Sequence, residues 1–178
     1  MIYYIIGGHG SGKSTAIHDL MKQRARWKPE FVSGRRAPFG YSCGKVFVAG
    51  RYDIKNGGTD TIRPLSRMIA TLRDWSRKGH LVIAEGVGQA RFVDELTRVC
   101  KGEIAKVYAL STDLKTCTSS VRKRGHRLSP DGVKRSWVRS QNAAHELRNA
   151  GIEVQTYSRK MLTVKLREDT RHAISDSN

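Results

Sequence analysis

Short apolar runs alternate with longer segments of helical periodicity along almost the whole chain. The apolar runs predict five strands, at residues 2–6, 45–50, 80–84, 105–110 and 152–157. Apolar residues at helical spacing predict helices at residues 13–26, 64–78, 91–100 and 113–124, then one that ends at Ala150 and a short C-terminal helix. This alternation predicts an α/β fold, a three-layer sandwich in which helices cover both faces of a five-stranded parallel sheet. We expect the 178 residues to form a single domain.

The segment between the first predicted strand and the first predicted helix reads Gly7-Gly8-His9-Gly10-Ser11-Gly12-Lys13-Ser14-Thr15. It has the G-x-x-x-x-G-K-S pattern of a phosphate-binding loop, in the strand-to-helix position that such a loop requires. Its glycines let successive N–H groups turn toward an anion, and the positive end of the helix dipole adds to the attraction. Lys13 can reach the β- and γ-phosphates of ATP, Ser14 can ligate Mg²⁺, and His9 is expected to offer only its backbone.

The net charge is larger than a nucleotide site needs. Lysine and arginine number 33 against 16 acidic residues, which gives a formal charge of +17. Much of the excess lies in residues 22–45 and 122–139, where aromatic side chains are interleaved: Trp27, Phe31, Phe39, Tyr41 and Trp137. Such a mixture is typical of a groove that follows a phosphate backbone and stacks an unpaired base, so we predict a nucleic-acid partner. The alternative is a solvated basic surface with the aromatic rings in the core.

Cysteine usage and hydropathy limit the class of protein. Three widely spaced cysteines with no C-x-x-C pair are expected to be reduced thiols, and no zinc site is predicted from them. The apolar runs are too short to cross a bilayer, and no signal-peptide pattern precedes the first strand. We therefore expect a soluble cytoplasmic protein.

Loops that leave the carboxyl ends of parallel strands meet at one edge of the sheet, where ligands bind. The loop after the second predicted strand contains Arg51, Tyr52 and Asp53, and Asp60 follows a Gly-Gly pair. Phosphoryl transfer to a hydroxyl group needs a carboxylate that orients the hydroxyl or takes its proton, and Asp53 is our first candidate. Asp60 is expected either to cap a helix or to act in catalysis. Arg51 is a candidate substrate clamp, and Tyr52 could stack on an acceptor base or pack beneath the loop.

Two further sets of residues follow the third and fourth predicted strands. Glu85 comes directly after four apolar residues, so its carboxylate is expected in the cleft, as support for Mg²⁺, as the acceptor base or as a partner of Lys13. Residues 122–132 are predicted to form an arginine-rich lid that closes on the transferring phosphoryl group. The candidate phosphate ligands of this lid are Arg122, Arg124 and Arg127; a generic cationic helix end is the alternative.

The order of these motifs resembles that of the P-loop kinases related to nucleoside and nucleotide kinases, from Met1 to about Tyr157. More narrowly, Gly50-Arg51-Tyr52, Gly57-Gly58-Thr59-Asp60 and Ala84-Glu85-Gly86 are similar to motifs of the bacteriophage 5-hydroxymethyluracil DNA kinases. The resemblance implies a P-loop NTPase fold and transfer of phosphate from ATP to a hydroxymethyl group on a DNA base, a step in thymine hypermodification in the host cytoplasm. A base within DNA must first be unstacked, which fits the aromatic-rich basic insertion at residues 27–45.

On this hypothesis, the loop amides, Lys13 and Arg122 hold the triphosphate, and Ser14 and Glu85 serve Mg²⁺. Asp53 or Glu85 acts on the acceptor hydroxyl, and Arg124 stabilises the transferred group. Two alternatives stay open. One is a small-molecule kinase acting on a nucleoside or nucleotide, which shares every residue on the ATP side. The other is a nucleic-acid-binding protein that uses ATP as a conformational switch.

Overall fold

The computed structural model describes residues 1–22, 26–32, 34, 36–54, 57–86, 90–102, 105–125 and 127–175. In this part of the chain the strands are β1 (Ile2–Ile6), β2 (Lys28–Glu30), β3 (Gly40–Cys43), β4 (Val46–Ala49), β5 (Leu81–Gly86), β6 (Ala105–Leu110) and β7 (Val154–Tyr157). The helices are α1 (Lys13–Met21), α2 (Leu65–Arg77), α3 (Ala90–Gly102), α4 (Leu114–Lys123), α5 (Pro130–Asn149) and α6 (Arg159–Ser175), with a short 3-10 helix at Thr59–Thr61.

One mixed sheet runs through the molecule, with seven strands among the described residues in the order β2-β3-β4-β5-β1-β6-β7. The strands from β4 to β7 in this order are parallel, and β1 lies between β5 and β6. β2 and β3 extend the β4 edge as antiparallel strands. The phosphate-binding loop that follows β1 therefore starts from the middle of the sheet, where neighbouring strands fix its position on both sides.

The side chains of β1 alternate between two separate cores, as the period of a strand requires. Ile2, Tyr4 and Ile6 face the core formed with α2, α3 and α5. Tyr3 and Ile5 face the core formed with α1 and α6. The molecule thus has the three layers expected from the sequence, and both faces of the central strands are buried.

The five predicted strands all form, but the sheet is larger and less uniform than predicted. β2 and β3 arise within the basic insertion, which we expected to be a connection without strands. Glycine and proline obscured the pattern there, and Gly40 is needed for packing. A Cβ atom at Gly40 would lie 2.4 Å from the Phe47 ring and 2.6 Å from the carbonyl oxygen of Val48.

Three predicted helix or loop boundaries also differ from the structure. α1 ends at Met21, and part of its predicted extension to residue 26 lies outside the described residues. α6 has 17 residues instead of a single short segment, because Leu162, Leu166 and Ile174 bury one side of it. The predicted lid at residues 122–132 comprises the end of α4, a short connection and the first turn of α5.

No helix of the described residues is both long enough and apolar enough to span a bilayer.

A stacked aromatic pair packs β4, the strand that carries the antiparallel extension, against α2. Phe47 is fully buried, and its ring stacks on that of Trp75 with centroids 4.1 Å apart and planes inclined by 4°. We predict that Phe47→Ala lowers the free energy of unfolding by about 3–5 kcal/mol, because it removes a buried ring and leaves a cavity. Phe31→Ala is the control, since Phe31 is 57% exposed and its loss should change stability by less than about 0.5 kcal/mol. Urea denaturation of the two variants measures both effects, and equal effects would contradict this account of the edge.

Candidate active site

The phosphate-binding loop has the backbone conformation that its glycines allow. Gly10 and Gly12 adopt φ angles of +82° and +98°, in the left-handed region that side chains disfavour. Gly12 is the N-cap residue of α1 and has no side chain with which to cap the helix. No N-cap side chain therefore competes with an anion at the start of α1, where the helix dipole favours negative charge.

Lys13 is held inside this loop. Its side chain is only 8% exposed, and its Nζ donates to the carbonyl oxygens of Gly7 at 2.8 Å and Gly8 at 3.1 Å. A buried ammonium group is costly unless it is paired or hydrogen-bonded. The two carbonyl groups thus stabilise the lysine at the place where a bound phosphate would add its negative charge.

Helices α4 and α5 pack directly against the loop. A Cβ atom at Gly10 would lie 2.3 Å from the carbonyl oxygen of Cys117 in α4, and one at Gly8 would lie 2.8 Å from the Cα of Trp137 in α5. The His9 amide donates to Ser136 Oγ at 3.0 Å. The loop glycines therefore permit the close packing of both helices, and the His9 amide has a partner within the protein.

Glu85 lies one strand away from the loop, on the face covered by α1. It pairs in register with Ile5 of β1, and the alternation along β5 puts it on the same side as Ile83, which packs in the core with α1. Glu85 is 4% exposed, and Tyr52 donates its hydroxyl to Glu85 Oε1 at 3.2 Å. The structure thus places a buried, hydrogen-bonded carboxylate near the carboxyl end of β5, beside β1. The sequence predicted a carboxylate at the end of this strand, and its role in the site stays a prediction.

Arg51 and Asp53 form a two-contact ion pair near the surface. Arg51 Nε lies 3.1 Å from Asp53 Oδ1, and Nη2 lies 2.7 Å from Oδ2. The Arg51 guanidinium lowers the pKa of the Asp53 carboxyl from 3.8 to about 2. Asp53 is therefore ionised at any physiological pH, but its carboxylate is a weak proton acceptor.

Tyr52 lies beneath the loop that follows β4. Its ring is 6% exposed and meets His18 of α1 edge-on, with centroids 5.4 Å apart. Of the two roles considered from the sequence, stacking on an acceptor base does not fit this burial, and packing beneath the loop does. Burial of His18 lowers the pKa of its imidazole, so this side chain is neutral at physiological pH.

The loop after β4 is hydrogen-bonded to β5 through Thr59, a contact that was not predicted from the sequence. Thr59 is fully buried; its Oγ1 donates to the Ala49 carbonyl at 2.9 Å and accepts from the Glu85 amide at 3.0 Å. Gly58 approaches so closely that a Cβ there would lie 2.9 Å from Glu85 Oε1. The Gly57-Gly58-Thr59 triplet is the sequence feature that could have indicated this contact. Asp60 lies in the 3-10 helix, and its side chain lies outside the described residues.

The predicted arginine ligands of phosphate lie on the solvent side of the α4–α5 corner. Arg122, Arg124 and Arg127 are all exposed, and Arg124 Nε donates to the Ser120 carbonyl at 3.3 Å. Below them, Cys117, Val121 and Val133 form a small core that supports the phosphate-binding loop. Contact of these arginines with phosphate stays a prediction, and His126 lies outside the described residues.

Most aromatic rings of the two basic stretches pack inside the protein. Phe39 is buried, Trp27 and Tyr41 pack against the core around α1, and Trp137 donates its Nε1 to the Thr112 carbonyl at 2.9 Å.

Phe31, in contrast, is exposed. In the pairing of β2 with β3, Glu30 lies opposite Gly40, and in the pairing of β3 with β4, Gly40 lies opposite Ala49. Ala49 is the carboxyl end of β4, so the end of β2 lies at the carboxyl edge of the parallel strands. Phe31 therefore leaves the sheet at the same edge as the phosphate-binding loop.

Comparison with known proteins identifies relatives of two kinds. No protein-family model matches the chain. A 5-hmdU DNA kinase of Pseudomonas phage PaMx11 is 30% identical over 133 residues, which cover 71% of this chain and 70% of that protein. The structure of a deoxyadenosine kinase from M. mycoides, with dCMP and a flexible dCDP bound, aligns with 97% of this chain and all of that chain at a TM-score of 0.51. At 10% identity, the second likeness shows a shared fold.

We predict that Gly10→Ala weakens ATP binding at least about tenfold, which corresponds to about 1.4 kcal/mol. The new methyl group would collide with the Cys117 carbonyl and push the loop and α4 apart. Gly79→Ala is the matched control, because Gly79 has a nearly equal positive φ, of +83°, and open space around its Cα. Calorimetric titration with ATP measures both affinities; equal losses would show that backbone strain alone is responsible.

Proposed function

The chain belongs to the 5-hmdU DNA kinase family, and from this premise we propose that it phosphorylates the hydroxymethyl group of 5-hydroxymethyluracil within DNA. That the chain is a phosphotransferase follows from its family, and a kinase of this kind uses ATP as phosphate donor. The observation that carries the proposal is the adjacent placement of Lys13, buried in a phosphate-binding loop, and Glu85, buried at the end of the neighbouring strand.

In the reaction, the acceptor hydroxyl oxygen forms a bond to the γ-phosphorus of ATP. The bond from that phosphorus to the β–γ bridging oxygen breaks, so that ADP leaves, and the hydroxyl proton passes to a carboxylate. The loop amides and Lys13 hold the phosphates and offset the charge that develops on them. Further charge on the phosphates would be neutralised from the solvent side, and our candidates for this role are Arg122, Arg124 and Arg127.

The donor atoms present fit Mg²⁺. The ion prefers hard oxygen ligands and is usually held by one or two protein groups together with substrate phosphates. Ser14, at the start of α1, would supply a hydroxyl oxygen. Glu85, on the same side of the sheet, is the carboxylate that would serve the ion in place of acting as the base. When bound, the ion neutralises charge on the β- and γ-phosphates.

Asp53 is a poor candidate for the base that accepts the hydroxyl proton. Asp53 is paired with Arg51 and has its pKa lowered to about 2, whereas efficient general bases have pKa values near the working pH. We therefore assign the acceptor proton to Glu85. Asp53 holds the Arg51 guanidinium in place, and Arg51 binds the acceptor. Asp60, on the same loop, stays a candidate for a role in catalysis or in capping.

A DNA acceptor accounts for features that a free nucleoside does not require. A formal charge of +17 greatly exceeds the demand of one triphosphate and suits binding to a polyanion. Phe31 is exposed at the sheet edge that holds the site, where an aromatic ring can stack against a base or its neighbours. Both features support an acceptor base that is extruded from a nucleic-acid strand.

The proposal is tested by offering two acceptors with ATP labelled at the γ-phosphate. One is DNA that contains 5-hydroxymethyluracil, and the other is the free 5-hydroxymethyldeoxyuridine nucleoside. We expect label in the DNA with a much higher kcat/KM than in the nucleoside, and none in matched DNA that contains thymine. Preferential labelling of the nucleoside would identify a small-molecule kinase, and ATP hydrolysis stimulated by DNA without labelled product would identify an ATP-driven switch.

The roles of the two carboxylates are separable by isosteric substitution. We predict that Glu85→Gln lowers kcat by about 10²–10⁴-fold while ATP affinity is kept, because a positioned base is lost. Asp53→Asn should mainly raise KM for the acceptor. Since Asp53 is already ionised far above its pKa of about 2, this variant should keep the wild-type shape of the pH–rate profile. A larger kcat loss in Asp53→Asn would reverse the assignment, and rescue of Glu85→Gln by excess Mg²⁺ would make Glu85 a metal ligand instead of the base.

A further inference from the structure

Helix α5 presents two chemically different sides. Its buried side carries Val133, Ser140 and Leu147 together with Ser136, which accepts the hydrogen bond from the phosphate-binding loop. Its solvent side carries Lys134, Arg135, Val138 and Arg139, all exposed. At about 100° of rotation per residue, the three cations and Val138 fall within about 140° of arc, opposite Ser136 and Trp137.

The solvent side of α5 forms an open groove. Its volume is about 450 Å³, and it is lined by Asp131, Lys134, Arg135, Val138 and Arg139. Within the described part of the chain, none of the three cations forms an ion pair. Val138 is 40% exposed between them. The groove therefore has a net charge of +2, from three cations and the Asp131 carboxylate, around an apolar floor.

We propose that this cationic groove of α5 is an exosite that binds the phosphate backbone of the DNA beside the target base. This inference rests on the proposed function and adds to it a second contact surface, outside the catalytic cleft. The partner is a nucleic-acid strand, because its phosphates complement the three cations along the helix.

The spacing of the cations suits a polymer better than a compact ligand. Lys134 and Arg139 are five residues apart, which corresponds to about 7.5 Å along the helix axis. The phosphates of one DNA strand lie about 3.4 Å apart along the duplex axis, so about three of them fit over that length. Cations in a row along a groove match such a row of phosphates, whereas a single phosphate group needs cations that converge on one point.

The position of the groove also distinguishes it from the nucleotide site. Because the cations lie on the opposite side of α5 from Ser136 and Trp137, a nucleotide held in the phosphate-binding loop is separated from them by the width of the helix, about 10 Å. A DNA strand is long enough to contact the groove while its target base occupies the cleft. The groove should therefore affect DNA binding without affecting ATP binding.

The test compares two triple variants of the full chain. The first is Lys134→Gln, Arg135→Gln and Arg139→Gln. The second removes the same charge at the opposite edge of the sheet, as Arg77→Gln, Lys78→Gln and Arg148→Gln, where α2 and α5 end before β5 and β7. All six side chains are exposed. In the control, Lys78 pairs with Asp74, and Arg148 donates to the Val154 carbonyl and to Thr156 Oγ1, so thermal unfolding is measured to verify that both variants fold. Binding of a short duplex and of its single strand, each with one 5-hydroxymethyluracil, is measured over a range of salt concentrations.

We expect the α5 variant to bind DNA about 10–100-fold more weakly than the control. The slope of log affinity against log salt should fall by about two to three units, since each lost phosphate contact removes about 0.7–0.9. KM for the long acceptor should rise in parallel, with kcat at saturating DNA and the affinity for ATP unchanged. A di- or trinucleotide acceptor, too short to reach the groove, should be phosphorylated equally by both variants.

Three results would overturn the inference. Equal DNA affinities and salt slopes in the two variants, with DNA still phosphorylated by the wild-type protein, would show that α5 is not the exosite while leaving the proposed function intact. A selective loss of ATP affinity in the α5 variant would assign the groove to the nucleotide. A wild-type protein that transfers no phosphate to DNA would refute the proposed function, and the exosite with it.

Discussion

The hydrogen bonds from Lys13 Nζ to the carbonyl oxygens of Gly7 and Gly8 are the interaction on which the site depends. They keep a positive charge inside a loop that the surrounding structure already holds: β1 is paired on both sides, α4 abuts Gly10, and α5 abuts Gly8. A charge fixed before the substrate arrives requires little reorganisation when phosphate binds, and such preorganisation is what makes electrostatic stabilisation of a transferring phosphoryl group effective.

The sheet then determines which other groups can take part. Register with β1 brings Glu85 beside the phosphate-binding loop, and the antiparallel extension carries Phe31 to the same edge. Thr59 bonds to both β4 and β5, so the loop that contains the Arg51–Asp53 pair is attached to the strand that contains Glu85. Lys13, Glu85 and the Arg51–Asp53 pair therefore share one support, and the basic surface of α5 lies on a helix that packs against the same loop.

Local sequence was sufficient to predict the strand, glycine loop and helix around Lys13, the positions of five of the seven strands among the described residues and the placement of Glu85 at a strand end. These features depend on short-range patterns, namely glycine spacing and apolar runs. The same reasoning missed β2 and β3, whose pattern is interrupted by proline and glycine, and it left open whether Tyr52 is buried. It also missed the hydrogen bond between His9 and Ser136, which are 127 residues apart, because no local pattern reports a contact that only the complete fold creates.

The central claim is that the acceptor is a base within DNA, and the most direct measurement is the mass of that base after reaction. DNA containing 5-hydroxymethyluracil is incubated with the protein and ATP, digested with a nuclease to nucleoside monophosphates without any phosphatase, and analysed by mass spectrometry. The account predicts that 5-hydroxymethyldeoxyuridine is replaced by a product heavier by one phosphoryl group, and that the Glu85→Gln variant yields almost none. Unmodified 5-hydroxymethyldeoxyuridine throughout the DNA, from a preparation that phosphorylates the free nucleoside, would contradict it.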